Sequence, residues 1–426
     1  MKNIHRLLIT ACLLSILVAC NLPSTPRPTA ENAGLPTIPA KETPASQLAT
    51  PEAPAVPSET SLPGSPVVIS QIHMLDENNG WGGVSKPDGT FQLLRTINGG
   101  QSWVNATPQD KSINLYGGSF LDGQTAWVPY FDPTSNAGSL LHTTDGGKTW
   151  ISLPTIESAE NASYEFTNLK DGVAQTAGVG AGNLYLNLYQ TADGGQSWVP
   201  ILVTAPKSEE GLPAGTVHLC NICGDGLHYD SSRIVITYGD LANDPAGAVR
   251  LAVSSDLGQN WKDLTLPLPD QKYAQGMTAP QSPTFFGTEG VLPVNLIKYN
   301  QDNSLAYSVL AIYNTQDGGQ SWSLAPGLLE NPVSQYQPVL IISPKDFFER
   351  CGRNLCSSKD GAQTWQTLPD TLNFDSAAGG ADYVSQFSFV DATTGWAISG
   401  EGEATSLWKT TDGGKNWTKL TPELLP

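Results

Sequence analysis

The 426-residue chain is poor in positive charge, in histidine and in helical periodicity. Lys and Arg number 22 against 40 Asp and Glu, a formal net charge of −18. An acidic surface is repelled by phosphate backbones and anionic headgroups, so nucleic acid and bare acidic membrane are poor partners. The histidines after the N-terminal region are His73, His142, His218 and His228, too sparse for an imidazole-based metal cluster. No segment of the main body holds a 3.6-residue apolar period long enough to compete with strands, which leaves an all-β reading.

The N-terminus stands apart. Lys2 and Arg6 precede an apolar run from Leu7 to Ala19, the charged and apolar parts of an export signal. That run is too short to span a bilayer as a mature helix. It ends in Leu17-Val18-Ala19-Cys20, which resembles the lipobox of bacterial lipoproteins, so residues 1–19 read as a signal peptide and Cys20 as the lipidated new N-terminus. The expected location is the extracytoplasmic face of a bacterial cell membrane, held by lipid. Residues 20–66 are rich in Pro, Thr, Ser and Ala, with prolines from Pro23 to Pro66 and few bulky apolar side chains. Such a segment cannot bury enough surface to offset its ordering entropy. It reads as a disordered tether reaching roughly 140 Å if fully polyproline-like.

Residues 67–426 spell one phrase seven times: TINGGQSW at 96, TTDGGKTW at 143, TADGGQSW at 191, SSDLGQNW at 254, TQDGGQSW at 315, SKDGAQTW at 358 and TTDGGKNW at 410. The intervals leave room for four short strands per copy. The phrase matches the Asp-box, or BNR repeat, Ser/Thr-x-Asp-x-Gly-x-x-Trp. The hydroxyl and the acid (Asn98, Asp145, Asp193, Asp256, Asp317, Asp360, Asp412) are suited to accept N–H groups of a hairpin turn. Trp103, Trp150, Trp198, Trp261, Trp322, Trp365 and Trp417 then re-enter the sheet. In families that carry it the box is a folding device on the blade periphery, away from ligand. Three copies depart from the pattern. Asn98 can still bond the turn, Leu257 takes a tolerant position, and Ala362 is accommodated if Gly361 carries the left-handed conformation.

A second phrase precedes several boxes: MLDENNGWGG at 74, FLDGQTAWVP at 120 and FVDATTGWAIS at 389, each a strand, an acidic turn, and a strand opening on Trp81, Trp127 or Trp396. The seventh unit parses into four strands: 386–390, 395–399, 406–410 and 416–420. Seven four-stranded antiparallel blades with Asp-box hairpins make a monomeric seven-bladed β-propeller. The last repeat carries all its own strands, and pairing of Val67 to Ile69 with blade 7 is the alternative closure.

The lipoprotein signal, seven boxes and the F/L-x-D-x-x-x-G-W phrase together resemble the photosystem II stability and assembly factor family of cyanobacteria and chloroplasts and its wider bacterial relatives. The resemblance covers nearly all of residues 70–420. It implies a propeller that holds protein partners without doing chemistry. In photosynthetic members an arginine-rich patch takes part in binding, whereas this body holds only Arg95, Arg233, Arg250, Arg350 and Arg353, spread over three blades.

Two enzymatic families carry the same box. Sialidases share the box but need three convergent arginines and an Arg-Ile-Pro motif, which this chain lacks. Other box-bearing glycosidases pair carboxylates across the central cleft, and carboxylates are plentiful here. A carbohydrate-active propeller is therefore the alternative to a non-catalytic scaffold, and no catalytic residue, cofactor or metal is assigned. Cys220 with Cys223 and Cys351 with Cys356 read either as zinc thiolates or as two local disulfides, with disulfides favoured because blades 4 and 6 are not neighbours. His218, Cys220, Cys223 and His228 could in principle hold zinc, and a disulfide-pinned loop explains the same residues.

The candidate binding face lies opposite the box turns, where loops between second and third strands and between blades meet. It takes in Tyr130, Phe131 and Asp132; Tyr238, Asp240 and Asp244; Tyr299 and Asp302; and Glu401 and Glu403. Aromatics give contact area and carboxylates give orientation, a mixture suited to a protein segment or a glycan.

Overall fold

The computed structural model describes residues 64–426 apart from 87–89, 110, 112, 114, 133–136, 157–161, 181–182, 204–222, 231, 239–247, 331–337, 370, 376–382 and 401–403. The chain forms seven sheets, one per blade, five of four consecutive strands and those of blades 1 and 5 of six, with only one 3₁₀ turn, Gln271–Tyr273, interrupting the connection into blade 5 among the elements described. Blade 7 shows the plan: Val384–Phe389, Gly395–Ser399, Ser406–Thr410 and Thr418–Lys419, paired in that order and antiparallel throughout. The second and third strands match the expected bounds, and the first and fourth each start two residues away from them. Alternating apolar residues pack each sheet face against the next blade. One cluster, for example, joins Val173 and Leu188 of blade 3 to Ile234, Ile236 and Ala252 of blade 4.

Hydrogen bonds stitch each seam. Trp81 Nε1 of blade 1 donates to Asp122 O of blade 2, Trp127 Nε1 of blade 2 to Gly194 O of blade 3, and Trp396 Nε1 of blade 7 to Gly99 O of blade 1, each at 2.9–3.0 Å. All three indoles are fully buried. The phrase that opens the second strand is thus a staple from one blade into the turn of its neighbour. Elsewhere Gln190 Nε2 donates to Tyr229 Oη across blades 3 and 4, and Leu227 N to Ser282 Oγ across 4 and 5. Val339 N donates to Gln281 Oε1 across 5 and 6, and the Arg350 guanidinium to Val384 O and Ser385 O across 6 and 7.

Of the two closures read in the sequence, the structure shows the one in which the last repeat carries all its own strands, and it adds an outer pairing that neither included. Blade 7 is complete, and the C-terminal strand Glu423–Leu425 pairs in parallel with Ser102–Asn105, the outer strand of blade 1. Ser65–Pro66, which the sequence assigned to the tether, then pairs antiparallel with that strand. Val67 to Ile69 form no ladder with blade 7. Ile69 instead enters the core beside Trp396, Ile398 and Leu407, and its carbonyl accepts from Thr405 Oγ1 at 2.9 Å.

The repeated turn departs from expectation at two copies. Leu257 has φ 55° and Ala362 φ 62°, so both non-glycine residues occupy the left-handed region themselves, and Gly361 at φ 72° does not relieve Ala362. Blade 6 accepts the methyl because Ala362 is wholly buried in a cluster with Leu329 and Phe347. The same box position in blade 2 has no such room: a Cβ on Gly147 would lie 2.8 Å from Ala106 O. Gly147→Ala is expected to lower stability by roughly 2–3 kcal/mol, strain plus clash. Gly195→Ala, whose Cβ would meet nothing nearer than 3.3 Å, should cost about 1 kcal/mol. Thermal unfolding of the two variants checks the order, and equal losses would contradict it.

Candidate binding face

The seven turns satisfy their own polar groups. The opening hydroxyl accepts the N–H four residues on in every copy, from Thr96 with Gly100 at 3.0 Å to Thr410 with Gly414 at 3.0 Å. The acid's Oδ1 accepts a second N–H four residues ahead, as Asp145 does from Thr149 N at 2.9 Å. Its Oδ2 takes the side chain of that same residue: Thr149, Ser197, Asn260, Ser321, Thr364 or Asn416, at 2.5–2.7 Å. In the first copy the polarity reverses, and Asn98 Nδ2 donates to Ser102 Oγ at 2.8 Å. Trp103 and Trp150 are buried and the other five closing tryptophans half-buried. Hydrogen bonds from Ser321 and Thr315 hold the Asp317 carboxyl down at about 2.

These turns share one face with the turns between first and second strands. Gly99 N donates to Asn78 O, Gly146 N to Gln124 O, Gly194 N to Lys170 O, Gly318 N to Thr288 O, Gly361 N to Lys345 O and Gly413 N to Thr393 O. Antiparallel order then places the hairpins between second and third strands, and the entries into each blade, on the opposite face. Five exposed large apolar residues lie at that end: Val68 and Tyr116 before the first strands of blades 1 and 2, and Met277, Tyr299 and Leu305 of blade 5.

Six of the ten expected face residues lie at that end by strand order. Tyr130, Phe131 and Asp132 end the second strand of blade 2, Ala126–Asp132, and Tyr238 ends that of blade 4, Arg233–Tyr238. The Tyr130 ring is half-buried, and Lys111 Nζ sits 3.8 Å from its centroid. Tyr299 and Asp302 are brought together on the hairpin of blade 5, where Ser304 N donates to Asp302 Oδ1 at 3.0 Å. Asp240, Asp244, Glu401 and Glu403 lie outside the described residues, as do Cys220 and His218. Cys223 opens the first strand of blade 4, and His228 of that strand contacts the Asp230 carboxylate at 3.3 Å. Among the described residues no group of three His, Cys, Asp or Glu is placed to hold a metal ion.

Cys351 and Cys356 form a disulfide. The hairpin between them is tighter than the spacing implied: Cys351 pairs with Asn354 and Glu349 with Cys356, so the bond crosses the ladder diagonally. Two titratable groups escaped the sequence reading. Glu165, on the first strand of blade 3, is open to solvent on one side, yet its carboxyl is pushed up to about 7 by the protein packed around it and by the charge of Asp230. Glu349 is 2% exposed, neither of its oxygens has a hydrogen-bond partner among the described residues, and burial raises its carboxyl to about 8 despite the adjacent Arg350.

No protein-family model matches the chain. Among curated proteins it is 31% identical over 115 residues to the photosystem II assembly lipoprotein Ycf48 of Synechococcus sp. (strain CC9902). The chain resembles a photosystem II assembly-factor propeller. That match spans 26% of this chain and 31% of the length of the curated relative. Solved structures of like architecture include YCF48 bound to D1 peptide, 19% identical, covering 85% of this chain and 99% of that one at a TM-score of 0.45. The GH74 xyloglucanase from Xanthomonas campestris is 14% identical, covering 85% of this chain and 54% of that one at 0.46. At such TM-scores the two neighbours do not separate a scaffold from an enzyme.

The carboxyls give opposite pH signatures. Asp317 is depressed, so its stabilising contribution is present above the ordinary Asp value of 3.8 and is lost as pH falls toward about 2. Glu349 is raised. Between 4.5 and about 8 the folded chain keeps a proton that the unfolded chain has released, so stability falls as pH rises through that window. Glu349→Gln should flatten this fall and leave the variant more stable than the native chain at about pH 9, by several kcal/mol. Melting temperature against pH checks it, and an unchanged alkaline slope would contradict it.

Proposed function

We propose that this chain is a lipid-anchored, extracytoplasmic scaffold that binds a protein partner on the loop face of its propeller and carries out no chemistry. The observation that carries this reading is the asymmetry between faces. Box turns spend their hydroxyls and carboxylates on their own backbone and leave Ile97 and Leu169 as exposed large apolar residues, one each on blades 1 and 3, while the opposite face presents Tyr116 and groups Met277, Tyr299 and Leu305 on blade 5. Aromatic and apolar side chains on a polar rim are the composition of a protein-binding patch. The curated relative is by name a lipoprotein of photosystem II assembly, which agrees with the signal ending at Cys20 and with a membrane-protein client. The Pro-rich tether would give the face room to reach that client.

Affinity purification of the tethered protein from its own membranes tests this. A variant with Tyr130, Asp132, Tyr238, Asp240 and Glu401 changed to Ala is expected to lose a defined membrane-protein partner that the native chain retains. Retention of the same partner by both proteins, or by neither, would contradict the assignment of the face.

The second reading, a carbohydrate-active propeller, has Glu165 in its favour. A carboxyl raised to about 7 beside the ionised Asp230 is what a general acid needs at neutral pH. If it is right, the purified chain hydrolyses a glycoside and Glu165→Gln abolishes the activity with the fold intact. Absence of turnover across a panel of glycosides sinks it.

A further inference from the structure

The hairpin that joins the second and third strands of blade 6 lies on the loop face and carries the Cys351–Cys356 disulfide. Cys351 pairs with Asn354 and Glu349 with Cys356, and directly paired residues of an antiparallel ladder share one side of the sheet. Glu349, Cys351, Asn354 and Cys356 therefore stand together on the side turned to blade 5, while Arg350 sends its guanidinium the other way, to Val384 O and Ser385 O of blade 7. Paired side chains of this kind start about 4.5–5.5 Å apart at Cβ, which places the Glu349 carboxyl beside the Cys356 sulfur.

This side of the hairpin is rich in acceptors and poor in donors. Neither Glu349 oxygen nor Asn354 Oδ1 has a hydrogen-bond partner among the described residues, though all three atoms are buried. A disulfide has no hydrogen to give, whereas two thiols have one each. The surroundings are otherwise apolar: Cys356, 2% exposed, packs in a cluster with Leu329, Val339 and Phe347. Burial makes a thiolate costly there, so this sulfur leaves slowly unless a proton meets it. Cys351 is half-buried next to exposed Gly352 and Arg353, and its sulfur is the one within reach of a reagent. The permanent charge of Arg353 also draws an anionic thiolate to that end of the bond.

We infer that Cys351–Cys356 is a redox-active disulfide that opens to an external dithiol, with Glu349 as the proton donor to the departing Cys356 sulfur. The exchange alters the chain itself and turns over no substrate, so it goes beyond the binding role and does not rest on it. A reagent thiolate attacks Cys351 Sγ, the S–S bond breaks, and its electron pair leaves on Cys356 Sγ, which takes the Glu349 proton. The reagent's second thiolate then attacks the mixed disulfide, closes the reagent's own disulfide and frees Cys351. Two electrons have passed to the cystine, and the two protons shed by the reagent return from solvent to Cys351 and Glu349. In the opened state the Cys356 thiol faces the carboxyl and the Cys351 thiol faces Asn354 Oδ1, so reduction supplies the donors that the closed bond lacks. Burial keeps the Glu349 carboxyl protonated up to about 8, and the charged group acting on it among the described residues is Arg350.

Reduction of the full chain by dithiothreitol tests this, followed by alkylation of the peptide that carries Cys351 and Cys356 and expressed per dithiothreitol thiolate at each pH. The native rate per thiolate should fall as pH rises through about 8, because the proton donor is lost. Glu349→Gln should be about tenfold slower below that pH and flat across it. In the reduced chain iodoacetamide should label Cys351 before Cys356. A native rate per thiolate that does not change with pH, or a fall that Glu349→Gln retains, would overturn the inference. So would a rate that rises with pH, since stability falls over the same window and reaction through the unfolded chain speeds up. Labelling of Cys356 first would overturn the assignment of the attacked sulfur. Should the variant fail to fold, the native profile decides alone.

Discussion

An eight-residue turn that saturates itself is what the ring depends on. A hydroxyl and a carboxylate, two residues apart, each accept a backbone N–H four positions on, and this holds a tight turn that would otherwise present unpaired donors. Because those bonds are local, each blade closes its outer hairpin without help from distant sequence. The turn also exposes glycine carbonyls and positive-φ backbone to the neighbouring blade. Trp127 and Trp396 donate to such carbonyls in the next box, while Trp81 donates to the first turn of blade 2. A local device thereby becomes a contact between blades.

That economy divides the labour between the two faces. On the turn face the polar side chains of the boxes are committed to their own backbone, and cations from adjoining blades complete the job: Arg95 Nη1 donates to Gly123 O, and Lys409 Nζ, over the Trp396 ring, donates to Glu77 O. The opposite face has no repeated device. Its hairpins differ from blade to blade, and that of blade 5, whose two strands of 11 residues are the longest described, carries exposed Tyr299 and Leu305. Variation is tolerated where the fold asks for nothing, which is where binding is best placed.

Much of the fold was legible because its signals are short-range. Ser/Thr, Asp, Gly and Trp within eight residues specify one turn, and the interval between copies specifies the blade. The completeness of blade 7 was legible, but the C-terminal strand added to blade 1 was not, since a parallel strand such as Glu423–Leu425 on Ser102–Asn105 needs no turn and leaves no local mark. Nor was the strain at Ala362, whose tolerance comes from packing against residues of blade 5. Glu349 was missed for a related reason. In Phe347-Phe348-Glu349-Arg350 two charges fall inside a buried strand, and period-2 alternation sends Glu349 to the side of Phe347 and Arg350 to the other seam. A charged pair inside a five-residue apolar strand was the available signal. Of the candidate face, the placement of Tyr130, Tyr238, Tyr299 and Asp302 at strand ends followed from counting strands.

The central claim is that one face is occupied by the fold itself and the other is free to bind. Site-specific photo-crosslinking in native membranes tests it most directly, with a photoreactive residue placed at Asp302 on the loop face or at Gln316, exposed on the turn face, in otherwise native chains. The account predicts a discrete protein adduct from position 302 and none from position 316. An adduct from position 316 alone would contradict it.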